Sequence, residues 1–217
     1  MPKRAYFVTL EGTEGVGKST QLRALTSHFR HKGLRVLVTR EPGGSPLSDS
    51  IRGVLLKSGG FHIDPVSELL LIEAARRQHV TDVLEKALVQ NDLVICDRFT
   101  DSTLAYQGGG RQLDLSWLRK LNRWVTGGLV PDLTILLDMP VDSALKRAMK
   151  RLAHHRPGEA EDRFEREKRA FHSRVRVTYL GLARAEPARF FVVDASEPPK
   201  TITRAILARL EPQVLGR

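Results

Sequence analysis

Residues 12–19 read Gly-Thr-Glu-Gly-Val-Gly-Lys-Ser, between a short apolar run (5–10) and a segment of helical periodicity (18–32). This placement restricts the chain to few folds. The spacing is G-x-x-x-x-G-K-[ST], and a strand–loop–helix context is what separates a phosphate-binding loop from a chance glycine-rich turn. The glycines let the backbone curl so that successive N–H groups point into one concavity. A helix opening at Lys18 adds the positive end of its dipole. Lys18 supplies a mobile cation for β- and γ-phosphates, and the Ser19 hydroxyl is placed to ligate Mg²⁺. GTPases, ATPases and small-molecule kinases would all share this loop.

The rest of the chain repeats the alternation. Strand-like runs occupy 5–10, 35–39, 93–96, 133–137 and 190–193, and helix-like periods occupy 18–32, 46–57, 65–90, 115–126, 141–152, 162–185 and 198–210. The strands are nearly continuous apolar runs, which suits a sheet covered by helices on both faces. Alternation with helices predicts an α/β fold with a parallel sheet, in one domain spanning 1–217. Residues 108–110 and 154–158 read as loops. Glu11, Asp97, Asp138 and Asp194 each follow a strand, the end where open α/β sheets bind ligands. Asp138 and Asp194 suit a site or a plain strand terminator equally.

Composition narrows the classes further. A 217-residue chain with 41% hydrophobic residues has enough apolar surface for a core. The early apolar run stops at Glu11, too short for a signal peptide, and Cys96 is the only cysteine, so the expectation is a cytoplasmic protein with no intrachain disulfide. Lys and Arg number 35 against 25 Asp and Glu, a balance of +10 that points to polyanionic partners. Residues 146–176 hold 11 Lys/Arg and 5 Asp/Glu, so +6 of that charge is local. Only Phe164 and Phe171 are aromatic there, too few to stack single-stranded nucleic acid. Neighbouring His154 and His155 lack a second ligand pair for a metal, and Cys96 reads as a small buried hydrophobe.

Three further segments sharpen the reading. Thr39-Arg40-Glu41-Pro42-Gly43-Gly44 follows the second strand. Ala74-Ala75-Arg76-Arg77-Gln78-His79 lies in the long helix. Asp97-Arg98-Phe99 follows the third strand and leads to Ala105-Tyr106-Gln107-Gly108. With the phosphate loop, in this order and spacing, the chain resembles the thymidylate kinase family from Phe7 to the turn at Asp194. The resemblance implies a nucleoside monophosphate kinase-like fold, a five-stranded parallel sheet flanked by helices, that transfers phosphate from ATP to dTMP, with Mg²⁺, usually as a homodimer. An interface is expected along 65–90 and the helix after Leu113.

Carried over by position, the resemblance gives ATP to Gly12, Thr13, Glu14, Gly15, Val16, Gly17, Lys18, Ser19 and Thr20, with Arg147 against the adenine. It gives dTMP to Glu14, Arg40, Arg52, Ile72, Arg76, Arg98, Thr103, Tyr106 and Gln107. Within that set Arg76 and Arg98 hold the acceptor phosphate, as two bidentate guanidinium groups are suited to do. Glu14 reaches the sugar, Tyr106 crowds a ribose 2′-hydroxyl, and Thr103 and Gln107 line the pyrimidine pocket. Asp97 joins Ser19 at the metal. Arg77 is expected in solvent, and Arg52 either reaches the phosphate or is exposed.

The phosphate loop carries no arginine at 13–16, so the resemblance to bacterial members with a basic lid moves the catalytic cation there. The lid is expected around 148–161, with Arg151, Arg156 and Arg163 as candidates beside Lys18 and Arg98. Two positions depart from the usual pattern. Ile72 stands where the family has a phenylalanine, and can touch a pyrimidine face without aromatic stacking. Phe99 is an allowed variant without a hydroxyl.

Overall fold

The computed structural model describes residues 4–56, 62–153 and 163–216. Five parallel strands lie in the order β2-β3-β1-β4-β5: β1 (Tyr6–Glu11), β2 (Val36–Arg40), β3 (Leu93–Asp97), β4 (Leu133–Asp138) and β5 (Phe190–Asp194). Each strand lies within a residue of its expected bounds and runs one residue further, so that β1, β3, β4 and β5 end on their acidic residues.

Both faces of the sheet are covered. Val8 and Leu10 of β1 pack on one side with Leu25 and Phe29 of α1 (Lys18–His31) and Ile202, Ile206 and Leu210 of α9 (Pro199–Leu215). Phe7 points the other way, into a cluster with Val80, Leu84, Cys96 and Phe99. Cys96 is the buried hydrophobe expected, its thiol pushed up by burial. A polar line crosses this interior where apolar contacts alone would not select one register. Thr9 and Thr134 hydroxyls meet at 3.0 Å, Thr134 donates to Asp101, and Arg189 grips both Asp101 oxygens at 2.6 and 2.9 Å. Among the described residues no helix is long and apolar enough to cross a membrane.

The helices start where local chemistry allows. Asp64 accepts from the backbone N–H groups of Val66 and Ser67, and Pro65 takes the first position of α3 (Pro65–His79). Asp114 caps α6 (Leu115–Val125) in the same way. The helical period 65–90 is continuous but not uniform: α3 widens into a π-helical turn at Val80–Leu84 before α4 (Glu85–Gln90). α2 (Pro46–Leu56) and α7 (Val141–Leu152) match their expected spans closely, so 148–152 of the expected lid are the last turn of α7. Residues 154–162, with Arg156, His154 and His155, lie outside the described residues.

Two expectations are corrected. Residues 108–110 are not a loop: they end a π-helical segment, Leu104–Gly110, that continues α5 (Thr100–Thr103). A Cβ on Gly109 would lie 2.1 Å from Thr178 Oγ1, and one on Gly110 2.4 Å from the Phe171 ring. The glycines are there for close approach to α8 (Arg169–Ala185), not for a turn. The helix expected over 162–185 starts only at Arg169, because Arg163 is tied back to α2 through the carbonyls of Leu55 and Leu56. Asp138 pairs with Arg176 and Asp194 caps the Ser196 N–H, which assigns both to structure.

The close packing at Gly109 has a measurable consequence. Gly109→Ala is expected to lower unfolding free energy by roughly 1–3 kcal/mol, the usual cost of overpacking. Urea denaturation followed by circular dichroism measures it, and a shift within error of zero would mean α8 yields without cost.

Candidate active site

The cleft lies beyond the carboxyl ends of β1 and β3, where the chain turns to opposite sides of the sheet, and has a volume of about 770 Å³. Its first wall is the loop between β1 and α1. Gly12, Gly15 and Gly17 adopt φ of 135°, 78° and 96°, and a Cβ at Gly15 would lie 2.1 Å from the Ala144 carbonyl oxygen. Only glycine allows both this curl and this approach to α7. Gly17 leaves the N-terminus of α1 without a side-chain cap, so no side chain competes with an anion for the first backbone N–H groups. Lys18 Nζ rests on the carbonyls of Gly12 and Thr13, each at 3.1 Å. Its pKa is pulled down to about 8 by desolvation and the neighbouring Arg98, against the pull of Asp97, Glu14 and Glu11.

Arg98 forms the centre. It carries a positive φ of 69° and projects between the loop and α8. Nη2 donates to Glu14 and to the Tyr106 hydroxyl, both at 3.0 Å, and Nη1 donates to the Gly12 carbonyl at 3.0 Å. The guanidinium lies 4.8 Å from the Tyr106 ring centroid. Tyr106 in turn donates to Glu14 at 2.5 Å. Burial would raise the Glu14 pKa, yet His172, Arg98, Lys18 and Tyr106 outweigh it and bring the group to about 2.

The far end is built around a second arginine. Arg76 is 2% exposed, and Nε donates to Glu41 at 2.7 Å. Nη1 meets Glu73, Thr103 and Asn122, and one Nη2 hydrogen goes to the Phe99 carbonyl. Burial opposes its charge, but Glu73 and Glu41 hold it charged well above the ordinary value. His79 completes the frame, meeting Thr39 at 2.7 Å and Glu41 at 2.9 Å. A Cβ on Gly44 would lie 2.7 Å from the His79 ring, which is why the 39–44 turn carries glycine there.

The cleft gathers most of the expected residues: Glu14, Gly15, Gly17, Lys18, Ser19, Thr20, Arg52, Ile72, Arg76, Asp97, Arg98, Thr103, Tyr106, Gln107, Arg147 and Arg151 all line it. Gly12 and Thr13 sit behind it as carbonyl supports for Lys18, and Val16 turns its side chain into the core. Arg52 bonds the Pro42 carbonyl at 2.9 Å from within the cleft wall. Arg77 is exposed, as expected.

Three assignments change. Arg40 is exposed beside Asp49 at 3.4 Å and does not line the cleft. Arg76 is no free phosphate clamp: two carboxylates already neutralise it, and one Nη2 hydrogen is left over from its hydrogen bonds. Arg163 is not directed at the loop; it pairs with buried Glu68 at 2.8 Å. Of the described lid candidates only Arg151 lines the cleft, held by Glu165 at 2.7 Å. Sequence reasoning missed Glu41, Ser102, Phe164 and Glu165, all of which line it. Glu41 and Phe164 sat inside the quoted segments without roles, and a charge-balance argument for Arg76 could have found Glu41.

Asp97 Oδ1 is buried and without a hydrogen-bond partner, at the same cleft as Ser19. An orphaned carboxylate oxygen there fits a cation. Among the described residues no group of three or more His, Cys, Asp or Glu gathers to hold a metal. That suits Mg²⁺, which takes one or two protein ligands and the rest from substrate phosphates and water.

Comparison with known proteins bears on the whole of this architecture. The family model described as Thymidylate kinase matches residues 10–206. The thymidylate kinase of Geotalea daltonii is 49% identical over 208 residues, covering 94% of this chain and 97% of that protein. The thymidylate kinase of Geobacter sulfurreducens is 49% identical over 201 residues, covering 93% and 94%. The crystal structure of thymidylate kinase from Ehrlichia chaffeensis superposes with a TM-score of 0.75 at 32% identity, covering 96% of this chain and 99% of that one. The matched span runs from the end of β1 into the first half of α9 and so takes in both walls of the cleft: the chain belongs to the thymidylate kinase family.

Proposed function

We propose that this protein transfers the γ-phosphoryl group of ATP to dTMP, giving ADP and dTDP. One observation carries the reading: a triphosphate-binding loop and a second cationic centre, Arg98, open on one cleft whose far end is lined by Arg76, Thr103 and Gln107. The acceptor phosphate oxygen attacks the γ-phosphorus, a new P–O bond forms, and the bond from that phosphorus to the β–γ bridging oxygen breaks. Little covalent help is needed from the protein; alignment and charge cancellation are the task. The attacking oxygen is already deprotonated at neutral pH, since a phosphate monoester has its second pKa near ~6. No general base is required.

The loop N–H groups and Lys18 hold the donor phosphates. Arg147, which bonds the Ala195 carbonyl at 3.0 Å, borders the donor side. Ser19 and Asp97 would hold Mg²⁺, which when bound neutralises developing charge on the phosphates. Arg98 takes the acceptor phosphate with a guanidinium already held in place. Tyr106, fixed by Glu14 and Arg98, cannot swing away from the sugar and thereby favours a deoxyribose. Ile72, Thr103 and Gln107 receive the base, and the remaining Nη2 hydrogen of Arg76 suits a base carbonyl. Arg151, at the end of α7, brings the mobile cation to the transferring group. All these parts belong to one catalytic unit, for which we propose a reducing, cytoplasmic setting suited to a single buried cysteine.

A homodimer is part of the same proposal. Trp124 is 80% exposed beside Leu70, Leu121 and Val125, in an apolar groove between α3 and α6. An exposed tryptophan at the centre of such a patch marks a protein contact.

Three outcomes are expected. Purified protein with Mg²⁺–ATP should release ADP with dTMP well above UMP, dCMP or thymidine; a preference for another monophosphate would keep the kinase and remove the thymidylate assignment. Arg151→Ala should lose about 10²-fold or more in kcat with little change in the dTMP KM, as for removal of one charge-stabilising donor. Unchanged kcat would transfer that role elsewhere. Trp124→Glu should convert a dimer to a monomer by size exclusion with light scattering, and a monomeric parent protein would dispose of the dimer.

A further inference from the structure

Glu11 is fully buried at the end of β1, does not line the cleft, and has no part in the chemistry above. Yet its carboxylate is the most heavily engaged near the loop. Oε1 accepts the Phe99 backbone N–H at 2.8 Å, and Oε2 accepts the hydroxyls of Ser102 and Tyr179, both at 2.7 Å. Those same two hydroxyls lie 3.3 Å from Arg98 Nη1. We propose that Glu11 is a positioning residue for phosphoryl transfer, setting Arg98 through the Phe99 backbone and the Ser102 and Tyr179 hydroxyls. The inference rests on Arg98 holding the acceptor phosphate.

The argument is one of donors and acceptors. An ionised carboxylate only accepts, so Glu11 draws hydroxyl hydrogen from Ser102 and Tyr179, which also meet each other at 2.8 Å, and oxygen lone pairs of these two hydroxyls are left facing Arg98. Arg98 also sits at φ 69°, a backbone region that a non-glycine residue keeps only when its surroundings hold it. Two hydrogen bonds on adjacent peptide groups do so: Arg98 N–H to the Leu10 carbonyl at 3.0 Å, and Phe99 N–H to Glu11. Strand β1 therefore fixes both the turn and the guanidinium of the motif that follows β3.

A proton on Glu11 would undo half of this. The protonated group must donate one hydrogen, which turns a hydroxyl hydrogen away from Glu11 and re-sorts the Glu11, Ser102 and Tyr179 hydrogen bonds beside Arg98. Burial and the facing Asp101 raise the Glu11 pKa to about 7, against Arg98, Ser102 and Tyr179, which lower it; Lys18 and Cys96 are the other ionisable groups it faces. The arrangement is therefore formed above neutral pH and lost as pH falls through about 7.

The test is Glu11→Gln, with Tyr179→Phe as a second variant in case the first does not fold, and Arg98→Lys beside them. ADP release is measured against dTMP and ATP concentration from pH 6 to 8.5. For Glu11→Gln at pH 8, kcat/KM for dTMP should fall about tenfold or more, the scale of a misplaced catalytic group, with the KM for ATP within about twofold. Tyr179→Phe should lose about threefold or more in the same constant, removing one of the two links. The ratio of wild-type to Glu11→Gln activity should shrink toward pH 6, and titration of the substrate phosphate cancels in that ratio. Equal losses for ATP and dTMP, a pH-independent ratio, or unchanged constants in the variant that folds would overturn the proposal. If Arg98→Lys leaves the dTMP constants unchanged, the phosphate role of Arg98 itself fails. If Arg98→Lys is impaired and the other variants are not, positioning alone fails.

Discussion

Three carboxylates, Glu11, Glu14 and Asp97, stand where β1 and β3 end, and the guanidinium of Arg98 is the charge set among them. Removing a carboxylate from water is unfavourable by several kcal/mol unless it is paired or hydrogen-bonded. Arg98 touches Glu14 directly and reaches Glu11 through two hydroxyls, while Lys18 adds a second cation at the loop. The phosphate loop, the Tyr106 ring and α8 are all arranged around this one side chain. Without it, the carboxylates would repel one another and the anions that the cleft is built to receive.

The second buried arginine solves a different problem. Arg76 is neutralised by Glu41 and Glu73, and these with His79 tie α3 to the turn after β2. That hydrogen-bonded end suits a base, while the phosphate end brings together Arg98, Lys18 and the N-terminus of α1. The Glu68 cluster serves a third purpose. It takes Arg111 and Arg163 at 2.9 and 2.8 Å and accepts from Gln107, fastening Arg163 beside the base pocket.

Much of this was legible from residue order. The five strands, the loop at 12–19 and the turn at Asp97 are local: each depends on a few neighbouring residues whose backbone preferences and apolar pattern agree. Family resemblance placed most of the cleft-lining side chains, because the motifs occur in order and at the family spacing. The corrected arginines are settled by their carboxylate partners. The resemblance gives Arg40 and Arg76 to dTMP and Arg163 to the lid, but Arg76 and Arg163 meet the buried carboxylates of Glu41, Glu73 and Glu68, and Arg40 pairs with exposed Asp49. Gly108–Gly110 read as a loop because three glycines are a turn signal, whereas the space at Gly109 and Gly110 is taken by Thr178 and Phe171, more than 60 residues away.

Taken alone, the amino-acid sequence determined the parallel α/β scheme, the phosphate loop and the family, since those rest on periodicity and short spacings that do not depend on distant partners. Only the tertiary structure decided which cations remain available to substrate. That depends on pairings such as Arg98 with Glu14, 84 positions apart, and Glu11 with Tyr179, 168 positions apart. Charge is written in the sequence residue by residue, but its compensation is settled only when the buried groups meet.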